Sequence, residues 1–179
     1  MAYSMVLPLL FAALASLDVA RPGDVPHPMT RAQCGAAEVV IEAEIIRGGT
    51  TSVFSTAEPT PAIGRDRLGL ARGWINEAPS LASLIKFDGS RPLGSALACP
   101  RVLDRLKSVK APVSAEADSR SRTTYLIKVG APVVNDAGNE AIVYVSSLSS
   151  TGGSERLLFL KRASAGPWKR AGEKLLRQS

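Results

Sequence analysis

The only histidine of the chain, His27, stands between Pro26 and Pro28. Ser-His-Asp or Cys-His catalysis needs its imidazole held in register by a third group. A proline-flanked lead segment offers no such hold, so neither a histidine-based hydrolase nor a histidine metal site is expected. Carboxylates are the next candidates. Glu42 and Glu44 are two apart, on different faces of a helix or one face of a strand, while Asp66, Asp88 and Asp104 are scattered. Two carboxylates about 5 to 10 Å apart can run glycoside hydrolysis. A small hydrolase using carboxylates, or a Ser in the concavity of a sheet, is therefore the enzymatic alternative. Ser150-Thr-Gly-Gly-Ser154 lacks the lysine of a phosphate loop and falls between two strand-like segments, which makes it a turn. Gly64 to Gly69 lacks the context of a dinucleotide fingerprint.

Cys34 and Cys99 are the only cysteines. Neither has a second Cys or a His at zinc-ligand spacing, and there is no Cys-x-x-Cys motif. No metal and no cofactor is expected. In an exported chain the pair allows one disulfide over a long loop, worth about 4 kcal/mol on the chain-entropy model. Two buried free thiols are the competing reading.

Charge is unevenly placed. From Arg156 onward Lys161, Arg162, Lys169, Arg170, Lys174 and Arg177 follow, against Glu173 alone, so the formal net charge of +6 resides in the last strands. Strand alternation makes this a solvated sheet face, and it leaves peripheral contact with an anionic membrane as one partner class. Trp74 and Trp168 are the large anchors, able to line a pocket or an interface, with Trp168 placed to pack on a helix. Together with Arg162, Lys169 and Arg170 they form the candidate interaction set. Nucleic acid is not expected as a partner, because the basic segment has only Trp168 and Phe159 for stacking.

The elements that must carry these groups begin at an uncharged apolar run, Met5 to Leu17, containing the small-x-small pattern Ala13-Leu-Ala15. It is shorter than the roughly 20 residues of a membrane span. The four residues before it, Met-Ala-Tyr-Ser, carry no Lys or Arg. The reading is a signal peptide over 1–15, a flexible Pro-rich leader over 16–29, and one domain over 30–179. At 45% hydrophobic and 21% charged, that remainder can bury an ordinary core. Periplasmic or secreted localisation follows, with no transmembrane segment after signal cleavage.

Thr30-Arg-Ala-Gln33 matches a capping box. Cys34, Ala37, Ile41 and Ile45 then mark a helical stripe that stops at Gly48-Gly49. A strand over 39–46 competes, because Glu42 and Glu44 alternate with apolar residues. Further on, 50–55 reads as a short strand, 65–76 as a helix weakened by glycines, and Ser80 as the N-cap of a helix through Lys86. Residues 99–107 suit a helical turn or a strand, and 111–121 a loop. Residues 123–134 suit one strand. Ala141 to Leu148 is apolar on both faces, as in a strand covered on both sides. Short turns then lead through 156–162 to a last strand with Trp168. Consecutive short connections predict a β-meander.

This ending resembles that of small exported bacterial proteins, uncharacterised for the most part. The pieces that carry the likeness are Val129-Gly-Ala-Pro-Val-Val134, Asn135 to Asn139, Ala141-Ile-Val-Tyr-Val145, Gly152-Gly153, Leu157 to Leu160 and Gly166-Pro-Trp-Lys169. They cover roughly a third of the chain and specify hairpins. Such relatives often carry cysteines in the Gly-rich turn, where this chain has Ser147, Ser149 and Ser150. The resemblance implies an α+β fold with an N-terminal helix packed on an antiparallel sheet ending in a β-meander, cystatin- or NTF2-like. It supplies no active site. The function expected is a noncatalytic binding or interaction module of the bacterial envelope, its partner an unidentified protein or small ligand.

Overall fold

Thr30 opens the first helix as the sequence predicts. Its hydroxyl accepts from the Gln33 N–H at 3.2 Å and the Gln33 side chain accepts from the Thr30 N–H at 2.9 Å. In the computed structural model, which describes residues 28–49, 52–61, 70–90, 92–115, 125–164 and 166–178, this helix α1 spans Arg31–Gly48. Gly49 ends it at φ 58, a left-handed conformation that suits glycine. The expected signal segment, most of the leader, His27 and Asp66 lie outside the described residues. Helix prevails over strand for 39–46 because one side of α1 is buried: Cys34, Ala37, Val40 and Ile41 enter the core.

Among the described residues the sheet has eight strands. They are β1 (Ser52–Ser55), β2 (Ile75–Asn76), β3 (Val113–Ser114), β4 (Tyr125–Val129), β5 (Val133–Val134), β6 (Glu140–Ser149), β7 (Gly152–Lys161) and β8 (Lys169–Gln178). Their order is β2-β8-β7-β6-β4-β1-β3, with β5 also paired to β6. Strands β6, β7 and β8 form the expected meander. The ten-residue pairing of β6 with β7 turns at Ser150-Thr151, so the Gly-rich segment is a hairpin turn.

β6 is covered on both faces. Ala141, Val143 and Val145 join Leu158, Leu160 and the α1 stripe in one cluster. Ile142 and Tyr144 join Leu157, Leu70, Leu84, Phe87 and Leu93 in the other. The second cover includes helix α2 (Leu81–Lys86), capped by Ser80. Helix α3 (Pro100–Ser108) lies beside α1 and buries Val102 and Leu106. The Cys34–Cys99 disulfide forms there, across a Cα–Cα distance of 5.6 Å. Among the described residues no helix is long and apolar enough to cross a membrane.

Four expectations need correction. The sheet is mixed, not wholly antiparallel, because β1 lies parallel to both β3 and β4. Residues 113–114, expected in a loop, form β3 because the neighbouring β1 leaves backbone groups for them to pair with. In 65–76, residues 65–69 lie outside the described part, 70–71 are helical as expected, and 75–76 form an edge strand where the helix was expected to continue. Gly73 at φ 74 and Asn76 at φ 68 take left-handed conformations that a helix does not admit. Finally, 125–134 is two strands. At Gly130 the backbone pairs with Ser95, and a Cβ there would lie 3.1 Å from Leu93. Pro132 has no N–H to donate to a ladder.

Candidate functional site

Trp168 comes immediately before β8 and its indole packs on the start of α1, where Nε1 donates to the Ala32 carbonyl at 3.1 Å. Gly35 makes the approach feasible, since a Cβ there would already lie 3.2 Å from the indole ring. Over the same ring, 4.5 Å from its centre, sits the guanidinium of Arg162. The Arg162 Nε donates to the Gly138 carbonyl at 2.6 Å, which fixes the stack. Arg31 from the first turn of α1, Arg101 from α3 and the Gly166-Pro167 turn complete a groove of about 760 Å³. Its one carboxylate, Glu38, lies 2.9 Å from Arg101 Nε as an ion pair without hydrogen-bond geometry. The disulfide pins α1 to the start of α3 one residue from Gly35 and two from Arg101, so the arginines stand on fixed supports. The groove can hold anionic groups against three guanidiniums and an aromatic wall.

The interaction set is only partly brought together. Trp168 and Arg162 share the groove. Trp74 lies on the other side of the sheet, edge-on to Phe159 with ring centres 6.2 Å apart, and donates to the Leu70 carbonyl at 2.7 Å. Lys169 and Arg170 sit on opposite faces, because Lys169 pairs with Lys161 and Arg170 with Leu160. Arg170 forms an ion pair with Glu173 on the α1 side. Burial holds its guanidinium below the usual range, with Arg47 and Arg156 pushing the same way.

The expected solvated basic face is largely engaged with neighbours. Lys161 pairs with Glu77, and Lys174 donates to the Arg72 carbonyl. Arg156 is buried beneath α1, where its Nη2 meets Glu44 Oε2 at 2.5 Å and its Nε lies 3.8 Å from Glu173. Burial lowers the Arg156 pKa and Glu44 counteracts that.

Among the described residues the candidate carboxylates do not form an acid–base couple. Glu42 makes a two-pronged ion pair with Arg105 on the surface of α3, while Glu44 turns inward to Arg156. Asp88 accepts from Ser90 at 2.6 Å in a turn, and Asp104 lies 3.8 Å from Lys107. Among the described residues no group of three or more His, Cys, Asp or Glu is placed to hold a metal ion.

Sequence reasoning missed Arg31, Arg101 and Glu38 as groove residues. Only the packing of α1 on α3 joins them, and the sole sequence signal for that packing was the cysteine pair. Comparison of the chain with protein-family models, with curated proteins and with solved structures finds no match.

Proposed function

We propose that this chain is a noncatalytic binding module that receives anionic groups of a partner protein or small ligand in the groove beside Trp168. The observation that carries the reading is the convergence of Arg31, Arg101 and Arg162 on one aromatic-walled groove of about 760 Å³, with Glu38 the only carboxylate among the described residues that line it. Export to the periplasm or medium is part of the proposal. It is supported by the apolar N-terminal run, the disulfide and the likeness of the closing strands to those of small exported bacterial proteins. A helix lying across a sheet that ends in a meander supports the cystatin- or NTF2-like placement. Peripheral contact with anionic lipid is the weaker use of these charges, because several cations of the last strands are already paired.

The test is calorimetric titration of the full chain with a Glu-rich peptide and with a Lys-rich peptide of equal length. Binding of the acidic peptide alone is expected. Arg31→Ala together with Arg162→Ala should weaken it at least about tenfold, as should raising salt from about 50 to about 500 mM. Equal binding of both peptides, or indifference to the two substitutions, overturns the reading. Mass spectrometry of the secreted protein under nonreducing conditions tests export and cleavage.

A further inference from the structure

On the sheet face turned away from α1, four strands present one polar row. Lys128 of β4 stands opposite Ser146 of β6, Ser146 opposite Glu155 of β7, and Glu155 opposite Arg177 of β8. Successive strands are about 4.8 Å apart, so the row is about 14 Å long. It lines a recess of about 400 Å³, at the lower end of the ligand-pocket range of roughly 300–1,000 Å³. Leu126, Leu148 and Gly153 form a parallel apolar row beside it. The inner end is closed by the buried Tyr144, whose hydroxyl lies against Glu155 and Ser146.

Two observations mark the row as built for a ligand. The first is a bulge in β8: Glu155 faces Arg177 while the next residue of β7, Arg156, faces Leu175. In a regular ladder Leu176 would face Glu155 and Arg177 would turn toward α1. Bulges re-aim side chains in this way. The second is the half-buried Glu155, whose carboxylate already accepts from the Tyr144 hydroxyl while its Oε2 is left without a donor, although two cations share its row. A buried acceptor is costly to leave without a donor, and a ligand hydroxyl would supply one.

The geometry points to a binding site for a sugar acid, a hydroxylated monocarboxylate of monosaccharide size. Two cations against one carboxylate leave the row one positive charge in excess, which a monoanion neutralises and a zwitterion does not. The guanidinium fork of Arg177 suits a carboxylate in bidentate fashion. Glu155 and Ser146, in the middle of the row, take hydroxyls, and Leu126 and Leu148 support the C–H face of the ring. Lys128 closes the far end. The site lies on the opposite sheet face from the Trp168 groove and stands independently of it.

The test is an amide-shift titration of the full, isotope-labelled chain with D-glucuronate and D-galacturonate, using D-glucose and glycine as controls. At least one uronate should shift the amides of Ser146, Gly153, Glu155 and Arg177, and should bind at least tenfold more tightly than glucose. Arg177→Gln and Glu155→Gln should each weaken it at least tenfold with the fold intact by circular dichroism, and Arg177→Lys should fall between. Lys107→Ala, on the exposed surface of α3 and outside both sites, should leave uronate binding unchanged. Shifts absent at millimolar concentration of either uronate, glucose binding as tightly, or glycine moving the same amides more strongly overturns the assignment.

Discussion

Glu44 is an acid in the middle of an apolar helix stripe, and alternation alone would set it among solvated charges. Its side chain is instead 2% exposed and meets Arg156, itself 7% exposed, across 112 residues of chain. Taking two charges out of water is costly, and their attraction offsets that cost only while both are present. Glu44→Gln should therefore destabilise the fold by about 3 kcal/mol, since it leaves the buried Arg156 guanidinium only Glu173, 3.8 Å away, as a counter-charge. Replacing the pair together, Glu44→Leu with Arg156→Met, should recover most of the loss. Urea unfolding followed by tryptophan fluorescence measures both variants. A cost for Glu44→Gln below about 1 kcal/mol would place the pair among weak surface bridges. Nothing in the local pattern around either residue announces this contact. It depends on where α1 rests on β7.

At the scale of elements, legibility follows how local the determinants are. Thr30 and Gln33 declare the start of α1 because both halves of the cap lie within one turn. The double-sided apolar pattern of Ala141 to Leu148 identified β6 as covered on both faces. The two-residue strands β2 and β3 carry no such pattern, and only their neighbours define them. Helix α2 is intermediate. Ser80 was legible as its N-cap, but Glu140, which accepts from Ser80 Oγ at 2.5 Å and from Ser83 Oγ at 2.6 Å, comes from β6. Burial alone would raise the Glu140 pKa. Hydrogen bonds from Ser80 and Ser83 and the charge of Lys161 outweigh it and hold the carboxyl below its ordinary 4.5. A carboxyl depressed in the folded state adds stability that is complete above its unfolded value and is lost as pH falls through its folded value. Unfolding free energy should thus decline as pH falls below about 5, by a small amount because the carboxyl is well solvated. Glu140→Gln should be less stable at pH 7 and show a shallower decline in acid, read by denaturant titration at each pH. An unchanged acid limb would contradict this role.

For the molecule as a whole, the disulfide and the meander divide the labour. The bridge spans a sequence separation of 65 and closes before β4 begins, whereas β6, β7 and β8 are joined by short turns. Reducing it, or substituting Cys34→Ala with Cys99→Ala, should cost about 4 kcal/mol on the chain-entropy model. Hydrogen exchange should show the loss first in α1 and α3, with the β6–β7 pairing still protected. Simultaneous loss of protection across the sheet would show that the bridge supports the whole. The groove beside Trp168 draws on both halves, which is why the chain order alone did not disclose it.

The parallel placement of β1 has a consequence for a polypeptide that emerges gradually, amino end foremost. Both strands that flank it, β3 and β4, come later in the chain. Until residue 129 has emerged β1 has no complete berth, and the apolar side of α1 waits longer still, for β6 and β7. Such long-range pairing is slow and leaves adhesive surface uncovered meanwhile. The early part of the chain is therefore the part that a holding chaperone would occupy, and its release would wait on the arrival of β4 and of the strands that follow it.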